Sequence, residues 1–178
     1  TAARALAAGI PLVSIDDHPH LDLAVDGADE IDPGLNLIKG LGKALLREKI
    51  VEIHARRFLV IASDDKLVAR LGRGPLPVEV TPFGARSQVR WLQGLCWRAE
   101  LWHDEAGTPY TTDNGNHLIR CWFDAGIDDP HALARALADR PGIVEHGLFL
   151  DMATEAIIAG AQGVRVLTRA GAPAGDGP

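Results

Sequence analysis

Residues 58–62 read Phe-Leu-Val-Ile-Ala, an unbroken apolar run directly after a helical stretch. A run of that length without polar alternation fits a strand covered on both faces, the usual state in a parallel sheet. Parallel neighbours need a crossover connection, and the preceding residues supply one. Residues 21–25 read as a short apolar strand that ends at Asp26-Gly27. Residues 44–57 read as a helix with Leu46, Ile50 and Ile53 on one face. Strand, loop, helix and strand in that order predict an α/β domain with a parallel, Rossmann-like sheet. Upstream, residues 2–8 read as a helix closed by Gly9, and residues 10–15 as a further strand. Such a strand wants neighbours on both sides, so the chain is expected to be cut at its N-terminus.

The pattern changes after Gly72-Arg73-Gly74-Pro75-Leu76-Pro77, a segment with hinge composition. A strand at 78–81, a helix at 85–93 and an alternating strand at 95–102 follow, the last with Leu95, Trp97, Ala99 and Leu101 on one side. Asn114-Gly115 signals a turn into a strand at 117–123. Residues 130–138 read as a helix with proline in its first turn, and 143–144 open another strand. This is the order of an inserted α+β, ferredoxin-like lid. The expected domains are 1–75 plus 147–168 for the α/β unit and 76–146 for the lid. Apolar runs at 156–158 and 164–167 return to the α/β unit, and 169–178 is expected to be a disordered tail.

Bulk properties bound the function. The net charge of −6 over 178 residues argues against a nucleic-acid surface, which wants a basic stripe. No apolar run approaches the ~18 residues that span a bilayer. The alanine-rich N-terminus lacks a basic start and a clean apolar core, so it reads as helix and not as a signal peptide. Cys96 and Cys121 lack CxxC spacing and read as buried thiols. A reducing cytoplasm is the expected location.

The chemistry concentrates in three short segments. Asp26-Gly27-Ala28-Asp29 follows a strand at its C-terminal end, where open α/β sheets bind ligands. The same residues could be a plain Asp-Gly turn with solvated acids. Lys39-Gly40-Leu41-Gly42-Lys43 opens the 44–57 helix and could offer backbone amides to an anion, or be an ordinary loop. It is neither a P-loop nor GxGxxG, because Leu37, Ala44 and Leu45 stand where those motifs need other residues. Glu48 lies opposite the Leu46/Ile50/Ile53 face, beside Ala44, Val51 and Ala55. It is either a solvated acid or a partly desolvated general base. Lys66 follows the 58–62 strand, as a helix-start lysine or an anion contact. The acids lack calcium-loop order, the histidines form no HxxxH pair, and there is no GxSxG elbow. Trp91, Trp97, Trp102 and Trp122 read as core or interface residues of the lid.

Together the segments resemble the A-type ribose-5-phosphate isomerases. The resemblance rests on Asp26-Gly27-Ala28-Asp29-Glu30, Asn36-Leu37-Ile38-Lys39-Gly40 and Leu46-Arg47-Glu48-Lys49-Ile50. It continues in Leu76-Pro77-Val78-Glu79-Val80, Thr112-Asp113-Asn114-Gly115-Asn116, and Pro141-Gly142-Ile143 with Gly147-Leu148-Phe149. It implies interconversion of ribose 5-phosphate and ribulose 5-phosphate through an enediol(ate), without metal or organic cofactor, by a homodimer. By position, Glu48 would be the base and Asp26, Asp29 and Lys39 its catalytic partners. Asp26, Gly27, Ala28, Asp29, Lys39, Gly40, Leu41, Gly42 and Lys66 would bind the sugar phosphate. Two departures stand out. The family's lysine loop carries successive glycines where this chain has Leu41 and Lys43, so Leu41 is expected to make poorer amide contact and Lys43 to add positive charge. The family's N-terminal Gly-Thr-Gly-Ser-Thr-like loop precedes anything in this sequence, and a chain without it is expected to be poorly active. The alternatives are a non-catalytic sugar-phosphate sensor of similar fold and a decayed fragment.

Overall fold

The computed structural model describes residues 2–169. In chain order the elements are α1 (Ala2–Ala7), β1 (Leu21–Asp26), β2 (Glu30–Ile31), β3 (Leu37–Ile38), α2 (Leu45–Ile53) and β4 (Ala55–Ser63). A 3-10 turn (Asp64–Lys66), β5 (Leu76–Val80), α3 (Ala85–Leu92), β6 (Arg98–Leu101) and β7 (His117–Trp122) follow. The chain then forms α4 (Pro130–Ala138), β8 (Ile143–His146), β9 (Leu148–Phe149), β10 (Glu155–Gly160) and β11 (Gly163–Thr168).

The apolar run at 58–62 becomes the interior of β4, second in a sheet ordered β1-β4-β10-β11. β4 runs parallel to both β1 and β10, while β10 and β11 form an antiparallel hairpin. A second sheet, β2-β3-β9, is small and antiparallel. The third, ordered β6-β7-β5-β8, is antiparallel throughout and carries α3 and α4. Its chain order, β-α-β-β-α-β with that strand order, is ferredoxin-like. The fold is therefore α/β with a parallel sheet and a ferredoxin-like unit, as the sequence pattern predicts.

Period-two alternation joins the units. Leu118 of β7 packs with Phe58, Val60 and Phe149, while its neighbour Ile119 packs with Val78, Val80 and Leu137. Leu37 and Ile38 of β3 divide between the same two clusters. The Gly72–Gly74 segment is tied down by buried Glu30, whose carboxylate accepts from the Gly72 and Gly74 amides.

Several local expectations are corrected. Residues 10–15 form no strand: Ile10, Leu12 and Val13 are exposed, and no described strand pairs with them. The helix expected over 44–57 ends at Ile53, because Ala55 already pairs with Leu21 and the Leu21 amide donates to His54 O. Of its expected apolar face only Leu46 packs on the core; Ile50 and Ile53 are 38% and 63% exposed, and Leu45, Glu48, Lys49 and Glu52 turn inward instead. The physical reason is that charges seat the helix. Lys49 Nζ donates to Glu145 Oε1, His146 O and Leu148 O at 2.6, 2.7 and 2.9 Å. β4 has strands on both edges but one open face, where Ile61 is 51% exposed. The strand expected at 95–102 shortens to β6, and Trp97 is 69% exposed. Arg169, expected in a disordered tail, is held by Thr154 O, Ala153 O, Asp151 and Leu35 O. The rest of that tail, 170–178, lies outside the described residues.

Buried Glu79 on β5 organises the Asn114-Gly115 turn. It accepts from Thr112 Oγ1, Asn114 Nδ2 and Asn116 Nδ2 at 2.9, 3.1 and 2.9 Å. Arg47 of α2 then grips the same turn through Asn114 Oδ1 and Asp113 O. Glu79→Leu leaves those donors without their acceptor and is expected to cost about 3 kcal/mol in urea-induced unfolding. A loss under about 0.5 kcal/mol would contradict that role.

Candidate active site

The parallel strand β1 ends at Asp26, so this carboxylate emerges at the C-terminal edge of the sheet. Its Oδ1 accepts the Gly27 amide at 2.7 Å, which turns the chain toward Asp29. The Asp29 amide donates to Ile38 O at 2.8 Å, fixing this turn against β3. Lys39 directly follows β3 and is 3% exposed. Its own amide donates to Gly147 O at 2.9 Å, an approach that a Cβ on Gly147 would block by meeting the Lys39 carbonyl. Gly40 follows at φ 108°, and a Cβ there would meet Leu45 Cβ and Cδ2 within 2.9 Å. The chain therefore bends tightly from Lys39 into α2.

These turns converge on one ammonium. Lys39 Nζ donates to Asp26 Oδ2 at 2.8 Å and to Gly27 O at 2.7 Å. Glu48 Oε2 lies 3.4 Å from it and Glu52 Oε1 3.2 Å. The Phe58 and Phe149 rings close its other sides, with centroids 5.7 and 5.4 Å away. A cleft of about 210 Å³ opens in front, lined by Asp26, Gly27, Ala28, Asp29, Lys39, Gly40, Gly42 and Glu48.

The electrostatics separate the groups. Burial raises the Glu48 pKa above the ordinary carboxylate value, against the opposing pull of Lys39. Burial alone would lower Lys39, but the carboxylates of Glu52, Asp26 and Glu48 outweigh it and raise its pKa. Lys39 therefore stays an ammonium, and Glu48 combines partial exposure to the cleft with raised basicity. A cation fixed 3.4 Å from a base of raised pKa suits proton abstraction next to a carbonyl whose oxygen gathers charge.

The sequence-predicted residues divide as follows. Asp26, Gly27, Ala28, Asp29, Lys39, Gly40, Gly42 and Glu48 share the cleft. Leu41 is not at positive φ, and its amide donates to Asp29 Oδ2 at 2.9 Å, so leucine does not keep this amide from a carboxylate. The positive φ falls instead on Lys43, at 69°. Lys43 Nζ stands over the Trp102 and Tyr110 rings, 5.2 and 4.3 Å from their centroids, and is not among the cleft-lining residues. Its charge anchors the loop on aromatic faces. Lys66 sits in the 3-10 turn after β4, 3.6 Å from Asp65 Oδ2 and outside the cleft lining. Among the described residues no group of three or more His, Cys, Asp or Glu could hold a metal ion. No helix among them is long and apolar enough to cross a membrane.

Sequence reasoning missed Glu52, Lys49 and the grip of Arg47 on the Asn114 turn. The available signal for Glu52 was its place four residues after Glu48 and seven after Leu45, on one helical stripe.

Known proteins resemble this chain over most of its length. The family profile described as ribose 5-phosphate isomerase A (phosphoriboisomerase A) matches residues 1–163. The ribose-5-phosphate isomerase A of Roseiflexus castenholzii is 55% identical over 165 residues, 92% of this chain and 70% of that protein. A probable chloroplastic ribose-5-phosphate isomerase 3 of Arabidopsis thaliana is 49% identical over 95% of this chain and 63% of its own length. Among solved structures, a D-ribose-5-phosphate isomerase in complex with phospho-erythronic acid superposes with TM-score 0.88 and 41% identity, covering 93% of this chain and 72% of that one. The Plasmodium falciparum ribose 5-phosphate isomerase gives TM-score 0.89 at 33% identity, covering 94% and 74%. With the profile spanning most of the sequence and relatives this similar across it, the chain belongs to the ribose 5-phosphate isomerase A family.

Proposed function

We propose that this chain is an aldose–ketose isomerase that interconverts ribose 5-phosphate and ribulose 5-phosphate, a step of the non-oxidative pentose phosphate pathway. Glu48 is the general base. It takes the proton from C2 of the open aldose, the C–H electrons form the C1–C2 double bond, and O1 becomes an oxyanion. Lys39 with the loop amides neutralises that oxyanion. The O2 hydroxyl passes its proton to O1, Glu48 returns its proton at C1, and C2 becomes the carbonyl of the ketose while O1 ends as the C1 hydroxyl. Asp26 and Asp29 hold sugar hydroxyls and assist ring opening, and Lys66 contacts the phosphate. Residues 76–146 act as a lid over the α/β unit, in a cytoplasmic homodimer.

One observation carries the reading: the Glu48 carboxylate, of raised pKa, stands 3.4 Å from a buried, permanently charged Lys39 at the wall of an open cleft. Positioning and oxyanion stabilisation must supply most of the rate, since acid–base catalysis contributes about 10²–10⁴-fold. The test is incubation of the chain with ribose 5-phosphate, followed by NMR for ribulose 5-phosphate. Conversion supports the reading. Saturable binding of the sugar phosphate without conversion would replace it with a sensor.

A further inference from the structure

Glu52 is a buried carboxyl that the proposed reaction does not use. Its side chain is 2% exposed, and neither carboxyl oxygen makes a hydrogen bond. It does not line the cleft. Its ion-pair partner is Lys39 Nζ, 3.2 Å from Oε1. The charged groups around it come from three directions: Asp26 at the end of β1, Lys39 after β3, and Glu48 and Lys49 on its own helix. Lys49 is itself engaged by Glu145 of β8 at 2.6 Å. An ionised carboxylate without hydrogen bonds is costly in such a place. A purely structural filler would serve better as an apolar side chain of similar length.

We propose that Glu52 is a positioning residue that acts on the cleft through Lys39, its protonation state setting how freely the Lys39 ammonium can turn toward a bound anion. With Glu52 neutral, Lys39 is held by Asp26 and Gly27 O at the cleft wall. With Glu52 ionised, the ammonium is drawn back into the protein, and one more negative charge stands behind a site for an anionic sugar phosphate. Burial, opposed by Lys39, pushes the Glu52 pKa up to about 8, so the change falls within a usable pH range. The consequence for turnover rests on the isomerase reading; the titration of Glu52 does not.

Two measurements on the full chain keep those separate. The first is thermal unfolding of wild type and Glu52→Gln from about pH 5 to about pH 9. The folded state holds the Glu52 proton more tightly than the unfolded chain does. Wild type should therefore lose stability relative to the variant as pH rises from the ordinary glutamate value of 4.5 to about 8, and the gap should level off above that. A gap that does not change with pH overturns the proposal. The second is the ratio of KM for ribose 5-phosphate at about pH 9 to that at about pH 7, where the phosphate is mostly ionised already. Wild type should show a rise of roughly threefold to tenfold, and Glu52→Gln a ratio near one. Lys49, ion-paired to Glu145 and outside the cleft lining, is present in both. An equal rise in both overturns the proposal. If no turnover is found, the isomerase reading fails, and the same ratio is taken from calorimetric binding of ribose 5-phosphate. Should the glutamine variant fold poorly, Glu52→Met provides the same neutral, unbranched replacement.

Discussion

Glu48→Gln is expected to lower turnover of ribose 5-phosphate by about 10²–10⁴-fold while changing sugar-phosphate affinity only a few-fold. Glutamine fills the same space on α2 but cannot accept a proton. The cleft keeps Asp26, Asp29, Lys39 and the loop amides, so the ground-state contacts survive. Stability should change little, because Glu48 keeps some exposure and its one close cation is also bound by Asp26 and Gly27 O. The wild-type pH profile should carry an acid limb displaced above the ordinary glutamate range, since burial raises the Glu48 pKa. Glu48→Gln should lack that limb. Steady-state kinetics over pH with calorimetric binding checks both statements. Unchanged turnover would remove Glu48 from the chemistry.

Lys39→Met is expected to damage catalysis and folding together. Its ammonium is the charge shared by Asp26, Glu48 and Glu52, and methionine leaves those acids facing one another without a counter-charge. Removing one member of a buried ion cluster costs about 3–5 kcal/mol. Loss of an oxyanion-stabilising donor costs a further ~10²–10³-fold in turnover. The sign with pH follows from the acids. Without Lys39 their folded-state pKa values rise further, so the folded chain holds protons that the unfolded chain releases first. The variant should lose stability relative to wild type as pH climbs from about 5 toward neutrality and should approach it at acid pH. Urea unfolding across that range checks this. A pH-independent deficit would mean that packing against Phe58 and Phe149, and not charge, is what Lys39 supplies.

The cleft was readable because its parts are local. Asp26-Gly27 closes a strand and Lys39-Gly40 leads into a helix, and turn residues at those places mark loops whatever the rest of the chain does. The ferredoxin-like order was readable for a similar reason, from the alternation at 95–102, the Asn114-Gly115 turn signal before β7 and the proline in the first turn of α4. The errors lie where a distant partner decides the outcome. The end of α2 is set by pairing of Ala55 with Leu21, which no helical periodicity can foresee. The inward face of α2 is set by Lys39 and Glu145 reaching it from other elements, so a wheel that ranks residues by hydrophobicity misplaced Ile50 and Ile53. The burial of Glu52 was missed for the same reason: its spacing from Leu45 and Glu48 places it on their stripe, but a glutamate has no reason to be buried until Lys39 is placed beside it. Residues 10–15 have strand composition, but composition cannot supply a neighbouring strand.

The central claim is that Glu48 moves a proton between C1 and C2. Incubation of the chain with ribose 5-phosphate in deuterium oxide, followed by proton NMR of the C2 position, tests it most directly. The C2 proton signal should fade as solvent deuterons enter through the enediol(ate), at least about a hundredfold more slowly in Glu48→Gln. Retention of the C2 proton in the presence of the wild-type chain, or exchange at the same rate in the glutamine variant, would contradict it.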